Sequence, residues 1–282
     1  MTGCFFVSDL HGKIDRYRKL FDAISAERPH AVFIGGDIMP HFGARGAPAD
    51  FLGDFFLPEL SRLRDALGEA YPRVFVILGN DDGRAIEKSL IEAADTGLLS
   101  YMHARKERLE RWTVYGYSFT PPSPFLLKDW ERYDVSRYID PGCVSPEEGW
   151  RTVEVVPDEE RFETIAQDLE SLAASNDLEH AVFLFHAPPY RSRLDRAALD
   201  GKTVDHAPLD VHAGSIAIRR FIEEAQPLLT LHGHIHESAR ITGSWRDGLG
   251  RTIALSAAHD GPELALVRFD LEDLSSATRE LL

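Results

Sequence analysis

Apolar residues recur along this chain in two rhythms. Unbroken runs at Cys4–Ser8, Ala31–Ile34, Val74–Leu78, Ala181–Phe185 and Leu228–Leu231 are short and end at Gly, Asp or His. They predict strands buried on both faces. Between them the period lengthens to three and four residues. Ile14, Tyr17, Leu20, Phe21 and Ile24 predict a helix that ends before Pro29. Phe51, Leu52, Phe55, Phe56, Leu60, Leu63 and Leu67 predict a second, with a kink or break at Pro58. Further helices are expected from about Glu159 to Ala174 and from Gly214 to Ala225. This alternation is that of an α/β fold whose strands are covered by helices on at least one face.

The middle of the chain is less regular. Trp112–Phe119 reads as a strand or hairpin. Thr120–Pro157 is rich in Pro, Gly, Arg and aromatic residues and has no period. It is expected to cover the mouth of a pocket or to join a subunit interface, and to be less protected than the strands. The tail alternates strand-like segments near Ala239, Ile253 and Leu264 with turns at Gly243, Gly248–Gly250 and Gly261. No linker divides the sequence, so one domain is expected over residues 1–282, with an irregular insert near 120–157.

Charge narrows the function. Asp plus Glu number 46 against 31 Lys plus Arg, a formal net charge of −15. A non-specific nucleic-acid coat or an anionic-membrane binder is therefore not expected, and a phosphorylated substrate would need cations supplied locally. Two cysteines, Cys4 and Cys143, make no disulfide framework and suit a reducing compartment. No apolar run has the length of a membrane span, and the N-terminus carries no basic leader. A cytoplasmic protein with no membrane partner is expected; homo-oligomerisation is left open.

The chemistry lies where the strands stop. The five apolar runs lead into Asp9-x-His11, Asp37, Asn80 with Asp81, His186, and His234-x-His236. Ligands in open α/β sheets collect at the carboxyl ends of strands. Gly12, Gly36, Gly79 and Gly233 stand beside these groups, where the chain must turn sharply. A donor set of carboxylate, imidazole and amide oxygen, without thiolate, suits Mn, Fe, Zn, Co or Ni. Seven candidate ligands are too many for one tetrahedral zinc and sufficient for two divalent ions sharing a carboxylate. Each motif alone is an ordinary loop feature. Their joint occurrence at successive strand ends is not.

The order Asp9-Leu-His11, Gly36-Asp37, Gly79-Asn80-Asp81, His186, Gly233-His234-Ile235-His236 resembles the calcineurin-like metallophosphoesterase superfamily, from residue 9 to residue 236. The stretches Phe183–Tyr190 and Gly214–Ser238 resemble its Icc-related predicted phosphoesterases. The resemblance implies a four-layer αββα sandwich of two mixed β-sheets flanked by helices. It also implies that Asp9, His11 and His236 hold one metal, that Asn80, His186 and His234 hold a second, and that Asp37 bridges them. A hydroxide between the metals would attack phosphorus, with Asn80 also reaching a phosphate oxygen. The implied substrate is a small phosphate ester, with diesters preferred.

Two positions depart from the family pattern. Pro40 stands where an acidic or amide residue usually ends the second motif, and Asp81 where the third usually has His, the family's proton donor or phosphate contact. Held ionised by two dications, Asp81 would be a poor acid near neutral pH, although relatives lacking this His include phosphodiesterases. His41 and His212 are candidates to replace the donor, His212 being retained with Asn80 and Asp81 among the candidate catalytic residues. His232 is expected to pack beneath the His234 turn. Arg45, Arg191 and Arg193 are weaker candidates for substrate phosphate, and Asp82 for orienting a ligand or capping a helix. The aromatic residues Trp112, Tyr115, Tyr117, Phe119, Phe125, Trp130 and Tyr133 would stack a nucleobase, form a satellite core or make a dimer contact. The main alternative to a hydrolase is a non-catalytic scaffold of the same fold. The intact set of seven favours the hydrolase, and the acidic charge disfavours a nuclease.

Overall fold

Two six-stranded sheets lie face to face, and helices pack on their outer surfaces. The computed structural model describes residues 3–41, 47–174 and 178–282. In chain order the first half contains β1 (Gly3–Val7), α1 (Ile14–Glu27), β2 (Ala31–Gly35), α2 (Leu57–Leu67), β3 (Arg73–Ile77), α3 (Glu87–Asp95), β4 (Ser100–Tyr101), β5 (Arg105–Leu109) and β6 (Trp112–Tyr117). After the irregular middle come α4 (Pro157–Phe162), α5 (Ile165–Ala173), β7 (Ala181–Phe185), β8 (Thr203–Val204), β9 (Ala207–Pro208), α6 (Ile216–Ala225) and β10 (Leu229–His232). The tail is α7 (Ser238–Thr242), β11 (Arg246–Leu249), β12 (Thr252–Ser256), β13 (Ala265–Asp270) and β14 (Asp273–Leu281).

One sheet runs β14-β13-β1-β2-β3-β4 and the other β11-β12-β10-β7-β6-β5. Each is parallel at its centre and antiparallel toward an edge, so both are mixed. The αββα sandwich is thus the fold of this chain. The apolar runs follow from it. Cys4 and Phe6 of β1 face the space between the sheets, with Phe33 of β2 stacked on Phe75 of β3 at 5.1 Å. The alternate residues Phe5 and Val7 face the helices. Both faces are dry, so no polar alternation survives in the sequence.

Three local expectations are corrected. The helical pattern through Pro58 does not break: a wide turn over Leu52–Phe56, in which the Leu57 N–H reaches the Leu52 carbonyl five residues back, leads into α2 with Pro58 in its first turn. There the missing N–H costs little. The helix expected over 159–174 is two, because Thr164 caps a new start: its hydroxyl accepts from the Gln167 N–H, and the Gln167 side chain accepts from the Thr164 N–H. Ala239 lies in the short helix α7, not in a strand.

The segment between β6 and α4 lacks a period because polar bonds, not a repeating apolar face, hold it. Lys128 and Glu131 form an ion pair with both side chains at 0% exposure, and Ser123 completes the cluster. Asp129 accepts from the backbone N–H groups of Arg84 (2.7 Å) and Thr152 (2.9 Å). Asp134 accepts from the N–H groups of Ile216 (2.6 Å) and Ala217 (3.2 Å) at the start of α6. The segment is thereby fastened to the turn after β3 and to α6. Trp112, Tyr115, Tyr117, Phe119, Trp130 and Tyr133 are buried, in agreement with a packing role, while Phe125 is exposed.

Candidate metal centre

The turns that leave β1 and β2 stay zipped together past the strands. Asp9 N–H bonds to the Gly36 carbonyl at 3.0 Å, His11 N–H to that of Asp37 at 2.8 Å, and Gly12 N–H to that of Ile38 at 3.0 Å. To run side by side, these turns adopt left-handed backbone: φ is 56° at Asp9, 48° at His11 and 52° at Asp37, and 73° at His234 on the turn after β10. Such angles are unfavourable for residues with a Cβ, by roughly 1 kcal/mol or more each. Asp82 fastens the third turn to the second. Its fully buried carboxylate accepts from the N–H groups of Ile38 (3.2 Å), Met39 (2.8 Å) and Gly79 (2.9 Å). It therefore positions the turn that carries Asp37 and does not cap a helix.

The side chains converge. His11 Nε2 lies 3.1 Å from His236 Nε2 and 3.8 Å from Asp37 Oδ2, and His236 Nε2 lies 3.2 Å from Asp9 Oδ1. Donor atoms of Asp9, His11, Asp37 and His236 all fall within 4.8 Å of one another. On the other side of Asp37, His186 Nε2 is 3.3 Å from its Oδ2 and 3.1 Å from Asn80 Oδ1. The His186 and His234 rings lie 5.2 Å apart, centre to centre. Asp37 thus stands between two groups of donors. Gly79 permits this closeness, since a Cβ there would sit 2.3 Å from Asp37 Oδ1 and 2.6 Å from His186 Nε2.

Electrostatics suit a cation. Burial alone would raise the Asp9 and Asp37 carboxyls, but the facing imidazoles of His236 and His186 hold both well below the usual carboxylate range. Burial lowers His11 to about 4 and His234 to about 3, so both are neutral and keep a lone pair. Burial would lower His186 too, yet Asp37 outweighs it and pushes it up to about 10. Two ring nitrogens stand 3.1 Å apart beside two ionised carboxylates. They are a fitting set of donors for a divalent ion, whose binding would displace the His186 proton.

The sequence model of the calcineurin-like phosphoesterases matches residues 4–238. The chain belongs to this family. Calcineurin-like phosphoesterases typically use divalent metals, and the cluster around Asp37 is the candidate site. One solved structure superposes on this chain with a TM-score of 0.61 at 16% identity, covering 99% of this chain and 98% of the other. A protein of Thermus thermophilus superposes with a TM-score of 0.56 at 17% identity, again over 99% and 98%. At such identities the likeness speaks for the fold. No curated protein matches the sequence.

The remaining sequence candidates are dispersed. His41 touches the cluster: its ring stacks on His11 and its Nδ1 lies 3.2 Å from Asp81 Oδ2. Asp81 is partly buried. Burial and the Asp37 charge raise its carboxyl to about 6 without metal, the opposite of the effect expected of dications. Asp81 also donates its N–H to Asp37 Oδ1 at 2.9 Å. His212 sits on the loop between β9 and α6, where its Nδ1 meets the buried Asp195 at 2.9 Å. His232 is buried under the His234 turn, bonded to the Ala187 carbonyl and to Thr230. Arg191 and Arg193 are exposed, and Arg45 lies outside the described residues.

Sequence reasoning missed Arg16. This buried guanidinium donates to the carbonyls of Asp9 (2.6 Å), Gly261 (2.5 Å) and Pro262, and so ties the first turn to the loop after β12. Little in the sequence signals it, since Arg16 follows the charged Asp15 in the first turn of α1. No helix of the described residues is long and apolar enough to cross a membrane.

Proposed function

We propose that this chain is a metal-dependent phosphoesterase that hydrolyses small phosphate esters and prefers diesters. Asp9, His11 and His236 would hold one divalent ion, Asn80, His186 and His234 a second, with Asp37 shared. When bound, such ions supply Lewis-acid stabilisation of phosphoryl oxygens and a nucleophilic water at neutral pH. The observation that carries this reading is the convergence of Asp9, His11, Asp37 and His236 within 4.8 Å, with His186 and Asn80 across Asp37.

The chain's own residues do the rest. Asp82 and the paired turns fix the donors before any ion arrives, so little ordering remains to be done on binding. Asn80 turns an amide toward the same space and would steady a phosphate oxygen through its N–H₂. Asp81, with its side chain 28% exposed, places a carboxylate at the edge of the cluster. That charge disfavours a dianionic monoester more than a monoanionic diester. The acidic surface leaves substrate attraction to the ions.

Metal content after loading, together with turnover of bis-p-nitrophenyl phosphate in added Mn, tests the reading. Two ions per chain and metal-dependent turnover are expected. A protein that takes up ions yet turns over no phosphate ester would instead be a scaffold of this fold.

A further inference from the structure

His11 offers two ring nitrogens to two different surroundings. Nε2 faces His236 and Asp37. Nδ1 is buried and makes no hydrogen bond, one of the few such side-chain atoms among the described residues. An unpaired ring nitrogen in a protein interior costs roughly 1–3 kcal/mol. The carboxylate facing it is that of Asp81, with Oδ2 at 3.7 Å. That is too long for a hydrogen bond. The Asp81 side chain is 28% exposed, however, so it has room to move the few tenths of an ångström required. The same Oδ2 lies 3.2 Å from His41 Nδ1, and the His41 ring covers one face of His11, with centroids 4.3 Å apart.

We propose that Asp81 is a positioning residue for the metal centre: its carboxylate takes the Nδ1–H of His11, and by also holding His41 it clamps the His11 ring from the edge and from one face. The bond selects the tautomer with the proton on Nδ1, leaving the Nε2 lone pair directed at His236 and Asp37, where it would be free to hold an ion. A carboxylate behind a ligating imidazole makes the ring a better and better-aimed donor, and loss of such a partner typically weakens metal binding about 10- to 100-fold. The residue in the third position of the Gly79-Asn80-Asp81 motif therefore serves metal affinity on the His11 side. This deepens the proposed function and rests on it.

The test is calorimetric titration of metal-free protein with Mn, for the wild type, Asp81→Asn and Asp81→Leu, with ¹H NMR of the Co-loaded proteins. Asp81→Leu should weaken one of the two ions by about 10- to 100-fold and leave the other unchanged. Its spectrum should lose the slowly exchanging, hyperfine-shifted N–H signal of His11. Asp81→Asn keeps an oxygen acceptor and should restore both the affinity and the signal, which a role in charge alone would not allow. Equal affinities in wild type and Asp81→Leu, or an Asn variant as impaired as the Leu variant, would overturn the proposal while leaving the metal centre standing. A wild type that takes up neither Mn nor Co would reject the metal centre itself, and this inference with it.

Discussion

The ring of His41 lies flat against the ring of His11, with centroids 4.3 Å apart and planes 19° from parallel. Thirty residues separate them in sequence, and the contact exists because Gly12 has no side chain. A Cβ on Gly12 would sit 2.5 Å from the Pro40 nitrogen and 2.6 Å from its Cα, on backbone that cannot swing aside. Pro40, a departure from the family pattern, thus packs on the turn that follows His11 and delivers His41 to it.

Gly12→Ala should separate these rings. The residue has φ +61°, so the variant meets both conformational strain and collision. A loss of about 1–3 kcal/mol in chemical denaturation is expected, together with weaker Mn uptake. Unchanged stability would mean that the Pro40 turn moves away freely.

Asp37 stands between two donor groups, so Asp37→Ala should lose both ions and nearly all turnover. His11→Ala touches only one group and should chiefly weaken one ion. Metal analysis of protein equilibrated with excess Mn or Zn distinguishes the two. At most one ion per wild-type chain would remove the shared-carboxylate arrangement.

Substrate preference follows from Asp81. Alkyl monoesters carry an extra negative charge and gain most from a proton donor, whereas aryl diesters need one least. The wild type is expected to show higher kcat/KM for diesters than for matched monoesters. At saturating metal, Asp81→His should narrow that gap by about tenfold or more, since a well-placed acid contributes about 10²–10⁴. A wild type that already prefers alkyl monoesters would assign proton donation to another group, with His41 beside the cluster and His212 on its Asp195 the two to test.

The buried pair Lys128–Glu131 makes a separate prediction for the middle segment. Glu131→Gln leaves an ammonium without its counter-ion at 0% exposure, and removing one partner of such a pair costs about 3–5 kcal/mol. Replacing both by apolar residues of similar volume should cost far less. Denaturation curves of the single and double variants decide it, and hydrogen exchange of the Thr152 and Ile216 N–H groups, which bond to Asp129 and Asp134, should follow the single variant.

Acid should loosen the same region through His103. Its Nδ1 accepts from the Ser118 N–H at 3.1 Å, and burial lowers its pKa to about 3 from an ordinary value of 6.5. The unfolded chain therefore binds the proton more readily than the folded one. The contribution is fully present above pH 6.5 and is lost as pH falls toward 3, by at most ~1.4 kcal/mol per pH unit. His103→Asn, which keeps an acceptor for Ser118, should flatten the fall in stability between about pH 6.5 and 4.5.

Much of this architecture is legible in the sequence because burial on both faces leaves strands as uninterrupted apolar runs, and each run leads into a candidate donor. That Asp9, His11, Asp37, Asn80, His186, His234 and His236 come together could be anticipated for that reason, since they are neighbours of strands in sequence. His41 was a candidate from its place just after Asp37, but its stacking on His11 was not legible, because that contact depends on one turn crossing another over Gly12. Arg16 was obscure for a related cause, and Asp82 was legible only as one of two alternatives: both bond to backbone, which carries no residue code. Ala239 was misread because a five-residue helix offers too few turns to show a period.

The left-handed backbone at Asp9, His11, Asp37 and His234 has a consequence for how the sequence can drift. At these positions glycine would relax the main chain, so the pressure for a sturdier fold and the pressure to keep the donor groups pull in opposite directions. Glycine or asparagine at these turns would be expected to make the main chain sturdier while removing the candidate donors. Aspartate and histidine at these turns hold the candidate donor groups against that strain.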